Sequence, residues 1–209
     1  MNNIDHIFYI NLDHRTDRRA EIEHELEGLG VTVERFSAIY TEKMGHLGCA
    51  LSHLEVARIA KERGYKNILV FEDDFQFIVS KEEFKHQMQS FFDSIPSFDV
   101  FLLLVTNPTL EDYNENFMKV IKAQNMAGYI VNEQYLDTHI SLLERCTYMY
   151  EQTFDLQFCC DMIWHLVMPE KEFYTFKKSI GIQRKSYSDI CKSVVDHFKE
   201  DSTQALQPQ

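Results

Sequence analysis

The stretch Lys66-Asn67-Ile68-Leu69-Val70-Phe71-Glu72-Asp73-Asp74-Phe75 constrains this chain most, because four apolar residues run directly into three carboxylates. A short β-branched and aromatic run of this kind fits a strand buried on both faces, as in the parallel part of an α/β sheet. The acids then stand at its carboxyl end, the edge where open α/β sheets form a crevice for ligands. Adjacent carboxylates repel one another unless a cation or a donor-rich ligand is shared among them. Their hard oxygens favour Mg2+ or Mn2+ over zinc or copper. A solvated acidic turn closing a strand is the competing reading of the same residues.

The 209 residues suffice for one sizeable domain, taken as 1–199, followed by a polar, unpatterned tail over 200–209 that is expected to be flexible. With 44% apolar and 26% charged residues the chain has the composition of a folded protein, not a disordered one. A formal charge of −12 argues against a broad surface for nucleic acid, so an anionic substrate has to be held by a few placed cations or by a metal. No apolar run approaches the ~20 residues of a membrane span, and Met1-Asn2-Asn3-Ile4-Asp5 lacks the basic and apolar regions of a secretion signal. A cytoplasmic location is therefore expected, and the oligomeric state is left open. Cys49, Cys146, Cys159, Cys160 and Cys191 show no Cys-x-x-Cys spacing, which predicts buried reduced thiols and neither a disulfide framework nor a structural zinc site.

Along the chain, His6 to Ile10 reads as a first strand, and Asn11 and Asp13 at its end are placed to bond a nucleobase or ribose. The helix that follows carries Ile22, Leu26 and Leu29 but opens with Arg15, Arg18 and Arg19, cations that oppose the helix dipole. Either Asp13, Asp17 and Glu21 to Glu23 offset them locally, or a bound phosphate does. Val31 to Phe36 alternates like a strand, and a helix over Cys49 to Arg63 has Ser52 and His53 near its start. Ser80-Lys81-Glu82-Glu83 is a capping box for a helix lined by Phe84, Met88, Phe91, Phe92 and Ile95. Phe98 to Val105 reads as a buried strand and Thr106 to Asn116 as a polar loop. Phe117 to Ala123 and Ala127 to Val131 are further strands, and Asn132 caps a helix. The stretch from Phe154 to Ile190 gathers Asp155, Asp161, His165, Gln183, Ser188 and Asp189 among aromatic residues. Asp161 and His165, four apart, are expected to share a helix face. Asp161 follows Phe158-Cys159-Cys160, which places it in partly dry surroundings.

Three separated blocks carry a resemblance: Tyr9-Ile10-Asn11-Leu12-Asp13-His14-Arg15-Thr16-Asp17-Arg18-Arg19, then Gly45-His46-Leu47-Gly48-Cys49-Ala50-Leu51-Ser52-His53, then Leu69-Val70-Phe71-Glu72-Asp73-Asp74. Weaker echoes stand at Ala127-Gly128-Tyr129-Ile130-Val131, at Asp161 and at Ser188-Asp189-Ile190. Together they resemble glycosyltransferase family 25, whose bacterial members build lipooligosaccharide and whose animal members galactosylate hydroxylysine in collagen. The resemblance implies an α/β, GT-A-like single domain with a mixed, mostly parallel central sheet flanked by helices. It also implies a UDP-sugar donor (UDP-galactose first, UDP-glucose second), Mn2+ or Mg2+, inversion at the anomeric carbon, and a glycan or collagen-like protein acceptor.

Carried over residue by residue, Asn11, Asp13, Arg18 or Arg19 and Asp73 line the nucleotide sugar, with Gly48, Ser52 and His53 near it. The resemblance implies that Glu72 and Asp74 hold the metal, Asp74 first, with Asp189 a candidate to complete that site. An inverting displacement needs one general base, for which Asp161 is the first candidate and Asp155 the second. A metal-dependent nucleotidyl or phosphoryl transferase uses an acidic strand end equally well, although no Gly-x-x-x-x-Gly-Lys loop is present. A non-catalytic nucleotide-sugar-binding module is the third reading.

Overall fold

A computed structural model of the chain describes residues 1–196; the tail at 200–209 and the domain limit at 199 lie outside the described residues. In order, the first half forms β1 (His6–Asn11), α1 (Thr16–Leu26), β2 (Val33–Ser37), α2 (Gly45–Glu62), β3 (Asn67–Glu72), β4 (Phe75–Phe77) and α3 (Lys81–Ser94). The second half forms β5 (Val100–Leu102), β6 (Thr106–Asp112), β7 (Phe117–Gln124), β8 (Gly128–Asn132), α4 (Glu133–Thr153), β9 (Phe173–Phe176), β10 (Gly181–Gln183), β11 (Ser186–Ser188) and β12 (Ser193–Val195). An eight-stranded sheet runs in the order β2-β1-β3-β8-β5-β9-β7-β6. β1 is parallel to both β2 and β3, and β5 is parallel to β9, while β8 and β7 each pair antiparallel with both neighbours. Six of the eight strands therefore share one direction, giving a mixed and mostly parallel GT-A-like sheet.

The alternation of side chains along β3 divides the core. Ile68 and Val70 face Leu54 and Ala57 of α2 and Leu136 and Leu143 of α4, whereas Leu69 and Phe71 face Ile22 and Leu26 of α1 and Phe84, Met88 and Phe91 of α3. All four β3 side chains are at most 1% exposed, and burial of each contributes roughly 1.5–3 kcal/mol. The helices cap as their sequences dictate: the Ser80 Oγ accepts from the Glu83 N–H at 3.1 Å, and Asn132 Oδ1 accepts from the Gln134 N–H at 3.1 Å. Among the described residues no helix is long and apolar enough to cross a membrane.

Two local expectations are corrected. Thr106–Asp112, read as a loop, is the edge strand β6, hydrogen-bonded to β7. Its polar side chains suit an edge, and Pro108, which has no N–H to donate, falls where the β6–β7 register shifts between Thr106 and Thr109. Asp161 and His165 do not share a helix face, because Asp161 lies in a turn and His165 in the short 3-10 segment Ile163–Leu166. The His165 imidazole turns to the Ala123 carbonyl instead, with Nε2 2.8 Å from the oxygen.

Candidate active site

Glu72 continues the face of β3 that carries Ile68 and Val70, so its side chain points toward α2. There its Oε1 lies 3.3 Å from His53 Nε2 and accepts from the Cys49 thiol at 3.4 Å. Burial alone would raise the Glu72 pKa, but His53 and Cys49, with the more distant Arg18, hold it below the ordinary carboxylate value. The chain then leaves the strand, and Asp73 and Asp74 turn toward α1. Asp73 accepts from Asn11 Nδ2 and from Arg18, both at 2.8 Å, and burial still pushes its pKa up.

Asp74 is less well supplied: Arg18 stands 3.5 Å from one oxygen and Gln183 Nε2 3.5 Å from the other. Burial and repulsion from Glu72 push the Asp74 pKa up to about 7. The short β4–β10 ladder brings residues 181–184 to this corner, where the Arg184 N–H donates to the Asp74 carbonyl at 2.6 Å. Gly181 permits the ladder, since a Cβ there would stand 2.3 Å from the Phe75 ring.

These groups line a cleft of about 620 Å3 at the carboxyl ends of β1 and β3. Asn11, Arg18, Ser52, Glu72, Asp73, Asp74, Asp161 and Asp189 all reach it. Asn11 is a hub whose Nδ2 also donates to the Arg15 carbonyl at 3.0 Å while its Oδ1 accepts from Arg35 Nε at 3.0 Å. Ser52 accepts from the Ile39 N–H at 2.8 Å and so fixes the cleft wall at Ile39. Burial and the charge of Glu72 raise the Asp161 pKa, with the backbone N–H of Asn125 opposing them. For Asp189 burial also acts upward, but Arg15 at 2.7 Å and His14 at 3.3 Å hold its pKa below the ordinary value. The arginines that opposed the α1 dipole are thus offset by carboxylates: Arg15 by Asp17 and Asp189, Arg18 by Asp73 and Asp74, Arg19 by Glu23.

Five residues expected at the site do not line the cleft. Asp13 is exposed and held by Arg35 and Ser37. Arg19 pairs with Glu23 at 2.9 Å beside a separate depression under Tyr9. Gly48 serves close packing, since a Cβ there would stand 2.4 Å from the Ile39 carbonyl oxygen and 2.9 Å from Thr41 Oγ1. His53 is fully buried behind Glu72, with Nδ1 2.8 Å from the Tyr129 hydroxyl. Asp155 caps the turn Leu156–Phe158 by accepting from the Gln157 N–H at 3.0 Å. Conversely, Asn125 and Gln183 enter the cleft joined by a 2.7 Å hydrogen bond, and Asn125 holds a backbone φ of 104° that a side chain rarely adopts. Asparagine tolerates such a conformation better than most residues, but no local pattern marked it.

The cleft is electrostatically one-sided. Five carboxylates line it, from Glu72, Asp73, Asp74, Asp161 and Asp189, against two guanidiniums, from Arg18 and Arg184. Oxygen donors short of hydrogen bonds, Asp74 above all, fit a hard divalent cation such as Mn2+ or Mg2+.

Comparison with known proteins bears on the same region. A sequence profile described as glycosyltransferase family 25 (LPS biosynthesis protein) matches residues 43–135, which span α2, the acidic end of β3 and β8. A glycosyltransferase 25 family member of Drosophila pseudoobscura pseudoobscura is 30% identical over a stretch covering 35% of this chain and 16% of that protein. A procollagen galactosyltransferase 1-A of Xenopus laevis is 27% identical over 41% of this chain and 18% of its own length. The chain thus matches less than a fifth of the length of these curated relatives. At the level of fold, the crystal structure of a glycosyltransferase involved in glycosylation of the major capsid of PBCV-1 superposes with a TM-score of 0.59. It covers 90% of this chain and 96% of that one at 11% identity. Over residues 43–135 the chain is thus similar to glycosyltransferase family 25 and to these relatives.

Proposed function

We propose that the chain is a metal-dependent, inverting hexosyltransferase that moves galactose first, or glucose second, from a UDP-sugar to an acceptor hydroxyl. The excess of carboxylates over guanidiniums in the cleft carries this reading, because a diphosphate cannot enter such a field without an accompanying cation. Asp74 would be the first residue to hold Mn2+ or Mg2+, with Glu72 and Asp189, which line the same cleft, as the further candidates. When bound, the cation neutralises negative charge on the diphosphate leaving group. Arg18 and Asn11 orient Asp73, which keeps the nucleotide side of the cleft ordered.

Asp161 takes the proton from the acceptor hydroxyl. Its raised pKa makes it a stronger base than an exposed aspartate, at the cost of needing a pH high enough to ionise it. Asp155, turned to Gln157 outside the cleft lining, is the weaker candidate. The relative named procollagen galactosyltransferase supports galactose as the sugar and a collagen-like protein as one acceptor class, at the hydroxylysine that the family resemblance implies. The description of the family profile supports a glycan as the other.

The experiment is incubation of the purified chain with UDP-galactose and Mn2+ without acceptor. Slow release of free galactose together with UDP supports the transferase, release of UMP supports a nucleotidyl enzyme, and tight Mn2+-dependent UDP binding without sugar release supports a binding module. Asp161→Asn should lower turnover at saturating acceptor by about 100-fold or more, the scale of a lost general base. Normal turnover in that variant removes Asp161 from the role.

A further inference from the structure

Behind Glu72 lies a donor set of different chemical character. Cys49 and His53 stand four residues apart on α2 and therefore on one face. Cys160, distant in sequence, comes to them from the turn that also carries Asp161. The Cys49 Sγ, the Cys160 Sγ and a ring nitrogen of His53 all lie within 4.8 Å of one another. The two sulfurs are 3.7 Å apart, Cys49 Sγ is 3.4 Å from Glu72 Oε1, and His53 Nε2 is 3.3 Å from the same oxygen.

Those separations have a geometric meaning. Zinc binds thiolate at about 2.3 Å and imidazole nitrogen or carboxylate oxygen at about 2.0–2.1 Å, so the edges of its tetrahedron are about 3.8 Å for S–S, about 3.5 Å for S–O and about 3.3 Å for N–O. The separation of the two sulfurs falls on the first of these edges, and the His53 nitrogen lies close enough to both to share one ion with them. We propose that Cys49, His53 and Cys160 form a site for a borderline-soft divalent cation, Zn2+ foremost, with a fourth position open toward the cleft.

The surroundings suit a ligand set. The Tyr129 hydroxyl at 2.8 Å from Nδ1 fixes the His53 ring and leaves Nε2 on the side of Glu72, as an outer partner does for a metal-bound histidine. Cys49, Cys160 and Glu72 line the cleft, which supplies a route of entry. Two sulfurs and an imidazole select against Mn2+ and Mg2+, so this site and the oxygen-rich one at Asp74 sort cations by chemistry within one cleft. An ion here would tie α2 to the turn that carries Asp161.

The test uses the full chain, reduced and stripped with a chelator, with Co2+ alone and no nucleotide sugar, so its outcome is independent of the transferase reading. The expected result is one equivalent of Co2+ that gives a sulfur-to-cobalt charge-transfer band in the near ultraviolet and intense visible bands of tetrahedral cobalt, while any Co2+ taken up by the oxygen ligands at Asp74 gives neither. Zn2+ displaces the cobalt and Mn2+ does not. Cys49→Ser and Cys160→Ser each weaken the charge-transfer band and lower Zn2+ affinity roughly 10-fold or more, while Cys191→Ser, at an exposed thiol outside the group of three ligands, leaves both unchanged. Should either cluster variant fail to fold, the wild-type spectrum decides. A wild-type chain that shows no charge-transfer band, or a band that survives both cluster substitutions, overturns the proposal.

Discussion

Acid should weaken this protein through one buried imidazole, and His139→Gln should relieve the effect. His139 has no exposed surface on α4; its Nδ1 accepts from Trp164 Nε1 at 3.2 Å, and its Nε2 has no partner. Burial, with the nearby His53, pushes its pKa from 6.5 down to about 3. Above pH 6.5 the ring is neutral in the folded and unfolded chain alike and contributes nothing to pH dependence. Below 6.5 the unfolded chain takes up a proton that the folded chain refuses until about pH 3, so stability falls by about 1.4 kcal/mol per pH unit.

The interval from pH 6.5 to 5 is about 1.5 units, which makes the loss roughly 2 kcal/mol at pH 5. Glutamine keeps an acceptor for the Trp164 N–H and does not titrate. Denaturant unfolding of both proteins at pH 7.5 and pH 5 gives a double difference in which the other titrating groups cancel. Wild type should lose about 2 kcal/mol more than His139→Gln between the two conditions. Equal losses would refute the reasoning, since they would mean that the folded protein protonates His139 as readily as the unfolded chain does. The rings of His139, Tyr129 and Trp164 pack together at 5.2–5.9 Å behind His53, so this is also the wall against which Glu72 rests.

Three further outcomes follow from the site. Gly48→Ala drives a methyl group into the Ile39 carbonyl and Thr41, and should cost about 1–3 kcal/mol in a denaturant titration. It should also raise KM for the donor by shifting the 39–41 wall of the cleft; unchanged stability would show that α2 can move away freely. Arg18→Met strips Asp73 and Asp74 of their guanidinium and should destabilise by about 3–5 kcal/mol, the scale for breaking a buried pair. A loss below about 1 kcal/mol would show the pair to be screened by solvent. Asp74→Asn should lower Mn2+-stimulated kcat/KM by about 100-fold or more while the protein still unfolds cooperatively, and full stimulation in that variant would exclude Asp74 as the first ligand.

Much of the architecture was legible from residues alone because it rests on local periodicity. The two-residue alternation within Ile68-Leu69-Val70-Phe71, the Ser80 N-cap and the Asn132 cap are each encoded by neighbours in sequence, and the structure holds all of them; the return bond of the capping box is replaced by one from Gln87 to Glu83. β6 escaped notice because an edge strand is stabilised by backbone pairing with β7, which leaves no apolar signature in its own side chains. The acidic end of β3 was visible as a run, and so was the general place of the arginines at the start of α1. Which carboxylate meets which cation was not, since Arg15–Asp189 and Arg18–Asp73 join positions 174 and 55 residues apart.

Sequence by itself determined the strand that ends in carboxylates, the helices around it and the chemistry of the acids. Only tertiary structure decided that Asp74 lacks the close donors of Asp73, that His53 stands behind Glu72 instead of in the cleft, and that Cys160 meets Cys49. The physical reason is range. Periodicity and capping act over a few residues, whereas the field felt by a buried carboxylate or thiol comes from groups that the fold brings together from the whole chain.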